Sequence, residues 1–366
     1  MTIGLLTSSR ADFGIYLPLA KALQLDPYFD LEIIAFGTHL SEEHGLTISE
    51  IEANELTVAH KIYSYQASNT PAELSKAIAH TSLKFADFWA NHEFDLVLTL
   101  GDRYEMFAAV IAASPFNTVF AHIHAGETTL GAIDNAYRHS LSLFSKYLFT
   151  TTDSYTKRAK EIVEKDIEIY NVGALSIDNL TKIKYLTIEE MKNKFGFDLS
   201  QPTILSTFHP ETVSFHKNKK HIEELLEAFK LLLLQYQIIV TMPNTDTMGQ
   251  MIRDKIIQFK NENPSLIVVE SLGMNGYLSC MKHCSFLLGN TSSGFVEATY
   301  FPKYVINLGK RQAGRIETEN IITTTITTPE IIEAVRKIEA SPKLENLNIY
   351  GNGDTASKIV SILKTL

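Results

Sequence analysis

Short apolar runs that stop abruptly at polar clusters are the feature that most constrains this fold. Residues 94–100 (FDLVLTL) end at Gly101, and residues 117–123 (NTVFAHI) end at His124. Apolar runs of this length without regular alternation are typical of strands that are buried on both faces of a parallel sheet. Helical patterns lie between the runs, and parallel strands that alternate with helices are joined by right-handed crossovers. The sequence therefore predicts an α/β fold with parallel sheets.

The strand–helix alternation occurs twice along the 366 residues, a length that exceeds what one hydrophobic core usually organises. Strands are predicted at 3–6, 31–36, 56–63, 96–100, 119–123, 147–151, 167–171, 203–207, 237–241, 266–270, 286–288, 304–307 and 321–325. A polar, lysine-rich stretch near 179–200 separates the two series. We expect two Rossmann-like domains whose parallel sheets face a central cleft. Residues 1–180 would form the first and residues 181–350 the second, with a closing helix at 351–366 that packs back toward the first.

Charge and composition exclude several classes of protein. The formal net charge of −9 argues against general nucleic-acid binding, which requires a basic surface. Cys280 and Cys284 are the two cysteines, and no His–Cys partner pair completes a zinc pattern with them. The first residues lack the basic region of a signal peptide, and no apolar run approaches the ~18 residues of a membrane span. We therefore expect a cytoplasmic protein without a membrane segment.

Ionisable side chains cluster where strands of the first half end. Open α/β sheets bind ligands beyond the carboxyl ends of their strands, so these side chains are candidates for a site. The cluster consists of Asp102, Glu127, Asp134, His122, His124 and His139. Crowded carboxylates have raised and split pKa values, so one can act as a base and another as an acid. Two simpler interpretations remain open: a core histidine at position 122, and an i,i+4 ion pair between Asp134 and Arg138 within one helix.

The second half carries a turn suited to binding phosphate. Residues 289–294 (GNTSSG) follow a strand and precede a helical pattern, so their backbone N–H groups would lie at the positive end of a helix. Glu297, near the start of that helix, can accept two hydrogen bonds from a ribose diol. The alternatives are a simple helix N-cap for the turn and a charge–dipole role for Glu297. The turn is neither a Walker loop nor a GxGxxG loop.

Further groups that bind oxyanions follow other strands. Arg10 lies in the loop after the first strand, where a guanidinium can make paired contacts to a diphosphate. His209 ends the first strand of the second half, and Arg311 and Arg315 follow a later strand. A surface ion pair between Arg10 and Asp12 is the simpler interpretation of the first loop. Together, the strand-end loops are stronger evidence for nucleotide binding than any one of them.

Six motifs resemble those of the hydrolysing UDP-N-acetylglucosamine 2-epimerases of sialic and legionaminic acid biosynthesis. The motifs are residues 9–14 (SRADFG), 101–105 (GDRYE), 122–127 (HIHAGE) with Asp134 and Arg138-His139, 208–212 (FHPET), 289–294 (GNTSSG) and 311–315 (RQAGR). They occur in the order of the family and span most of the chain. The departures are Ala125, where a second glycine is common, and Asn135, where an acidic residue is frequent.

The resemblance implies a GT-B-like fold and a hydrolysing epimerisation. UDP-N-acetylglucosamine and water would give N-acetylmannosamine and UDP, by anti elimination of UDP to a 2-acetamidoglucal and then hydration of the double bond. The implied partner is the UDP-sugar, and neither a cofactor nor a metal is implied. The apolar helices of the first half leave room for a homodimer or homotetramer.

The resemblance also assigns roles to residues of this chain. It makes Asp102 and Asp134 the acid–base candidates, with Glu127 and His124 shaping the sugar pocket. Spacing does not show which carboxylate removes the proton. The implied residues for binding substrate and nucleotide are Arg10, Arg103, Arg138, His209, Asn290, Ser292, Ser293, Gly294, Glu297 and Arg315.

Several alternatives remain open at this point. Hydrolysing epimerases that act on UDP-N,N'-diacetylbacillosamine, for legionaminic acid synthesis, have much the same motifs. Non-hydrolysing epimerases carry a Glu-Ala-Gly-Leu-Arg type of loop where residues 124–128 read His-Ala-Gly-Glu-Thr, which favours hydrolysis here. A glycosyltransferase of the same architecture and a nucleotide-sugar sensor without catalysis are the more distant possibilities.

Overall fold

The computed structural model describes residues 1–68, 70–164, 166–211, 213, 215–243, 249–345, 347 and 349–366. These residues form two compact units. Unit 1 comprises Met1–Glu127, Asp134–Thr181 and Tyr350–Leu366, and unit 2 comprises Thr128–Ile133 and Lys182–Ile349. Each unit contains a parallel β-sheet with helices, so the expected α/β fold class is confirmed.

The sheet of unit 1 has seven strands in the order β3-β2-β1-β4-β5-β6-β7, and the sheet of unit 2 has six in the order β10-β9-β8-β11-β12-β13. The strands of unit 1 are β1 (Thr2–Thr7), β2 (Asp30–Phe36), β3 (Val58–Ile62), β4 (Leu96–Leu100), β5 (Phe120–Ile123), β6 (Tyr147–Thr150) and β7 (Glu168–Asn171). Those of unit 2 are β8 (Thr203–Thr207), β9 (Gln237–Thr241), β10 (Ile267–Val269), β11 (Phe286–Gly289), β12 (Tyr304–Leu308) and β13 (Ile321–Thr324). Each of these strands overlaps a strand predicted from the sequence.

Helices connect the strands in both units. They are α1 (Arg10–Leu25), α2 (Ile48–Ala53), α3 (Pro71–Trp89), α4 (Tyr104–Ala112), α5 (Asp134–Leu143), α6 (Asp153–Ile162), α7 (Leu175–Lys182), α8 (Ile188–Phe195), α9 (Asn218–Leu232), α10 (Gly249–Glu262), α11 (Gly273–His283), α12 (Glu297–Tyr300), α13 (Thr328–Ala340) and α14 (Thr355–Leu363). Across the described ranges, no helix is both long enough and apolar enough to cross a membrane.

Successive residues of a central strand pack into opposite layers of unit 1. Leu5 of β1 belongs to a cluster that includes side chains of α1 and α14, whereas Leu6 belongs to a cluster that includes side chains of α3 and α4. Side chains of a strand alternate between the two faces of its sheet, and here both faces are covered. Every residue in the middle of such a strand is therefore buried, which explains the unbroken apolar runs of the sequence.

The closing helix α14 is part of unit 1. The buried carboxylate of Asp178 accepts hydrogen bonds from the backbone N–H groups of Thr355, at 3.0 Å, and of Ala356, at 2.8 Å. N–H groups in the first turn of a helix have no acceptor within the helix. A carboxylate that accepts from them therefore stabilises that end of the helix. Ile359 and Leu363 of α14 then pack into the core cluster that contains β1 and α1.

A methyl group added to Gly289 is expected to destabilise unit 2. A Cβ at this position would lie 2.1 Å from the carbonyl oxygen of Thr207, its neighbour on the paired strand. We expect Gly289→Ala to lower the free energy of unfolding by about 3 kcal/mol, measured by urea denaturation. Gly14→Ala is the matched control, because no atom lies within 4 Å of its added Cβ. An equal loss in both variants would contradict this prediction.

Candidate active site

The ionisable cluster of the first half lies at one edge of the sheet of unit 1. Strands β1, β4 and β5 are neighbours in that sheet, and their carboxyl ends lead into loops that carry Arg10, Asp102 and His124. Helix α5 begins at Asp134 and brings Arg138 to the same edge. As expected from the sequence, the structure brings Asp102, His124, Glu127 and Arg138 together.

Arg138 connects the loops after β4 and β5. Its side chain is 3 % exposed, its Nη2 donates a hydrogen bond to the carboxylate of Asp102, and its Nη1 donates to the carbonyl oxygen of His124 at 2.9 Å. Nη1 also lies 3.7 Å from Oε2 of Glu127. A buried guanidinium is stable only where acceptors compensate for its lost hydration, and these three groups provide that compensation.

Glu127 and His124 form a second pair within the cluster. Nδ1 of His124 lies 2.8 Å from Oε1 of Glu127, and the hydroxyl of Thr151 donates to the same oxygen at 3.3 Å. His124 has a φ of +66°, which is uncommon for a residue other than glycine. Gly126 also has a positive φ, and a Cβ there would lie 2.2 Å from the carbonyl oxygen of Tyr155. The turn that presents this pair therefore requires a glycine at position 126.

His122 is a satisfied core histidine, as the simpler interpretation of the sequence has it. Its Nε2 lies 2.9 Å from the carbonyl oxygen of Gly101, and its Nδ1 lies 2.9 Å from the hydroxyl of Ser142. Complete burial lowers the pKa of His122 to about 3, so the ring is neutral. A carbonyl only accepts hydrogen bonds, so Nε2 carries the proton and Nδ1 accepts from Ser142. This ring thereby joins α5 to the turn that precedes Asp102.

The loop after β1 is organised by Asp12. The carboxylate is buried and accepts hydrogen bonds from the backbone N–H and hydroxyl groups of Ser8 and Ser9, at 2.6 to 3.2 Å. Arg10 is about half exposed and lies 3.8 Å from Glu50. The expected surface pair of Arg10 with Asp12 is therefore wrong, because Asp12 turns inward to cap α1 while Arg10 turns outward.

His39 supports the same loop and was not singled out by the sequence. It is fully buried, its Nε2 lies 3.0 Å from the hydroxyl of Thr7, and its Nδ1 lies 2.9 Å from the hydroxyl of Thr47. The hydroxyl of Thr7 in turn donates to Asp12 at 2.5 Å. Burial lowers the pKa of His39, which keeps the ring neutral in this network.

Arg103 pairs with a buried carboxylate of its own segment. Its Nη2 donates to Oε1 of Glu105 at 2.7 Å and its Nε donates to Oε2 at 3.1 Å, which gives a bidentate contact. Glu105 is 3 % exposed, so the pair compensates for the burial of its charge.

In unit 2, three strand-end loops are joined by the side-chain amides of Asn290 and Gln312. The side chain of Asn290 accepts from the backbone N–H of His209 at 2.7 Å and donates to its carbonyl oxygen at 2.8 Å. Gln312 donates from its side chain to the carbonyl oxygen of Asn290 at 2.8 Å, and Nε of Arg315 donates to Gln312 at 2.7 Å. The loops after β8, β11 and β12 are thereby fixed relative to each other.

The turn after β11 differs from the expected strand-to-helix turn. Ser292–Gly294 forms a single 3-10 turn, and the helix that follows, α12, has only four residues. Pro302 explains the short helix, because a proline disfavours helical geometry at the residue before it. Glu297 is the first residue of α12, and the hydroxyl of Ser293 lies 2.6 Å from that of Tyr277. A helix of four residues contributes only a small macrodipole at residues 289–294.

Residues Thr128–Ile133 are part of unit 2, although both flanks of this segment are part of unit 1. The backbone N–H of Leu130 donates to the carbonyl oxygen of Ala313 at 2.9 Å, and a Cβ at Gly131 would lie 2.2 Å from the carbonyl oxygen of Lys310. No strand or helix pattern is visible in the sequence of this segment. Its glycine is the one local sign that the backbone approaches another segment closely.

Three further features of the sequence are the 208–212 motif, the two cysteines and the residues able to bind a metal ion. Thr212, the last residue of the 208–212 motif, lies outside the described residues. Cys280 and Cys284 are buried free thiols, and burial raises the pKa of each above its ordinary value. In the portion of the chain that is described, no group of three or more His, Cys, Asp or Glu side chains is arranged to hold a metal ion.

The buried ring of His122 should make stability depend on pH. Its pKa is about 3 in the folded protein against an ordinary 6.5, so the unfolded chain binds one more proton between these values. Stability is therefore lost as the pH falls from 6.5 toward 3, with a slope of up to about 1.4 kcal/mol per pH unit from this residue. We expect urea denaturation of His122→Gln to show a slope that is smaller by that amount. Parallel curves for the two proteins would rule out a buried neutral His122.

The chain is similar to known proteins over almost its whole length. The model of the UDP-N-acetylglucosamine 2-epimerase family matches residues 21–364. The UDP-N,N'-diacetylbacillosamine 2-epimerase (hydrolyzing) of Legionella pneumophila is 33 % identical over 360 residues, which cover 98 % of this chain and 94 % of the relative. The GDP/UDP-N,N'-diacetylbacillosamine 2-epimerase (hydrolyzing) of Campylobacter jejuni is 32 % identical over 345 residues, which cover 94 % and 89 %.

A solved structure shows the same fold. The UDP-GlcNAc 2-epimerase from Neisseria meningitidis, crystallised with UDP-GlcNAc, aligns with a TM-score of 0.85 and 18 % identity over 100 % of both chains. This likeness confirms the GT-B-like fold that the motifs implied, with a Rossmann-like parallel sheet in each unit. From the match of the family model and the identity to curated relatives, it follows that the chain belongs to the UDP-N-acetylglucosamine 2-epimerase family.

Proposed function

We propose that this protein is a hydrolysing 2-epimerase whose substrate is UDP-N,N'-diacetylbacillosamine. The products would be 2,4-diacetamido-2,4,6-trideoxymannose and UDP. The observation that carries the proposal is the 33 % identity, over almost the whole chain, to a relative named for this substrate. The alternative given by the sequence thereby becomes the main proposal, and UDP-N-acetylglucosamine becomes the second candidate, supported by the description of the family.

The chemistry requires two kinds of group. Elimination of UDP removes a proton from carbon 2 while the bond from carbon 1 to the diphosphate breaks, and hydration returns a proton to carbon 2 from the opposite face. Inversion at carbon 2 therefore needs two proton-transfer groups, and the cluster in unit 1 offers Asp102, Asp134 and His124, with Glu127 bonded to His124. No covalent enzyme intermediate is required.

The leaving diphosphate needs cationic and hydrogen-bonding groups. We assign this role to Arg10, Ser292, Ser293 and Arg315, and we assign the ribose hydroxyls to Glu297. Arg10 suits the role because its side chain is about half exposed and its weak pairing, at 3.8 Å from Glu50, leaves its guanidinium accessible to a ligand. Stabilisation of the negative charge that develops on the diphosphate lowers the barrier to elimination.

Product analysis will test the substrate and the reaction together. Purified protein is incubated separately with UDP-N,N'-diacetylbacillosamine and UDP-N-acetylglucosamine in deuterium oxide, without a glycosyl acceptor, and the products are identified by NMR. We expect UDP, a free 2-epimerised sugar, deuterium at carbon 2, and a kcat/KM at least ~10-fold higher for the bacillosamine derivative, since a site built to hydrogen-bond a polar substituent discriminates strongly against its absence.

Each other outcome contradicts a defined part of the proposal. Faster turnover of UDP-N-acetylglucosamine would overturn the substrate. Release of UDP only when an acceptor is added would indicate a glycosyltransferase, and binding without any turnover would indicate a sensor.

Removal of the Arg10 guanidinium should weaken nucleotide binding. A hydrogen bond from a charged group to an oxyanion contributes about 1.5–3 kcal/mol, so we expect Arg10→Ala to raise the Kd for UDP by about 10- to 100-fold in isothermal titration calorimetry. Lys21→Ala is the matched control, because it removes one positive charge from an exposed position on the same helix. Equal Kd values for the two variants would remove Arg10 from the diphosphate site.

A further inference from the structure

His124 has an arrangement that suits a proton-transfer group. The residue is 8 % exposed, and its Nδ1 lies 2.8 Å from Oε1 of Glu127. Its other ring nitrogen, Nε2, is buried and has no hydrogen-bond partner in the described part of the chain. Buried polar atoms are almost always paired, so a buried ring nitrogen without a partner indicates a position kept for a ligand.

The pairing with Glu127 determines which ring nitrogen is available. A carboxylate accepts hydrogen bonds. When the His124 ring carries one proton, that proton is therefore on Nδ1, which donates a hydrogen bond to Glu127. Nε2 is then the nitrogen with the free electron pair. A carboxylate that holds Nδ1–H also stabilises the positive ring that forms when Nε2 takes up a proton.

The surroundings hold the ring in place. The carbonyl oxygen of His124 accepts from Arg138 at 2.9 Å, and Glu127 is held by the hydroxyl of Thr151 at 3.3 Å. The φ of +66° at His124 is costly for a side chain with a Cβ, and such backbone strain persists where neighbouring contacts over-determine the conformation. The backbone and the Glu127 contact thus both fix the direction of the imidazole.

The acid Asp102 is less suited to removing a proton. Its carboxylate already accepts a hydrogen bond from the buried guanidinium of Arg138, which occupies an oxygen that a base would need for the proton. Nε2 of His124 has no such partner in the described part of the chain. The contrast favours His124 over Asp102 as the base, whereas the sequence motifs made Asp102 an acid–base candidate and gave His124 the role of shaping the sugar pocket.

We propose that Nε2 of His124 accepts the carbon 2 proton of the UDP-sugar in the elimination step, with Glu127 as a positioning residue. This inference rests on the proposed function. The carbon 2–hydrogen bond breaks and its electron pair forms the double bond between carbons 1 and 2. The bond from carbon 1 to the diphosphate oxygen breaks and its electron pair leaves with UDP. In the hydration step, the carboxyl group of Asp134, on the opposite face, gives its proton to carbon 2 while the oxygen of water bonds to carbon 1. The proton that this water loses returns to the carboxylate of Asp134, and the proton on His124 is released to solvent.

His124→Asn is the first test. Asparagine tolerates a positive φ, and its amide can still donate to Glu127, but it has no nitrogen that accepts a proton. We expect kcat for UDP-N,N'-diacetylbacillosamine to fall at least ~100-fold, with the Kd for UDP within about twofold of that of the unsubstituted protein. A kcat that stays within about fivefold would overturn the proposal.

His124→Gly with added imidazole is the second test. Glycine adopts the positive φ without strain and leaves space for a free imidazole. We expect imidazole to restore turnover, and substituted imidazoles to do so in order of their basicity, as proton transfer requires. His122→Gly is the matched control, because the ring of His122 is neutral and bonded at both nitrogens, so added imidazole should not raise its rate. A His124→Gly protein that binds UDP but shows no rescue contradicts a proton-transfer role.

Glu127→Gln tests the positioning role. If Glu127 acts only through His124, the double variant Glu127→Gln/His124→Asn should be no slower than His124→Asn alone, because residues that act as one unit are not additive. Multiplicative losses would show that Glu127 acts independently. If the unsubstituted protein releases no UDP from either sugar, the proposed function fails. If that protein is active and His124→Asn is equally active, only the present inference fails.

Discussion

The buried guanidinium of Arg138 is the interaction on which the candidate site depends. It lies among Asp102, Glu127 and the carbonyl oxygen of His124, and its charge compensates for carboxylates that would otherwise repel each other in a poorly hydrated place. Because these contacts reach two different strand-end loops from one helix, they set the spacing of the functional groups. The chemistry at this edge of the sheet of unit 1 therefore depends on all the contacts of Arg138 together and not on a single carboxylate.

Most of the fold was predictable from sequence, for a clear physical reason. Strands such as β4 and β8 are covered on both faces, so each of their positions is apolar or small, and such runs stand out from amphipathic helices. The helical pattern at residues 295–300 corresponds to α12, which is short because Pro302 disfavours helical geometry at the residue before it. Segment Thr128–Ile133 had no periodic signal, because its position depends on backbone contacts with a loop that is distant in sequence.

The residues of the candidate site could be predicted from the sequence, but most of the contacts between them could not. The motifs named Asp102, Glu127 and His124, but which of them pair depends on tertiary geometry that spacing does not encode. The inward turn of Asp12 could have been read from Ser9 three residues earlier, since this spacing is that of a capping box. The contribution of His39 could not, because it reaches Thr7 from another strand-end loop.

The path of the chain through its two units has a consequence for how the protein can be divided. The backbone passes from unit 1 to unit 2 after Glu127 and after Thr181, and it returns after Ile133 and after Ile349. No single cut therefore separates the two units from each other. A fragment that begins at Lys182 lacks the six residues that cover the Lys310–Gly314 backbone, and one that ends at Thr181 lacks helix α14 of its own core. Genetic fusion or circular permutation of the halves therefore has to preserve all four passages.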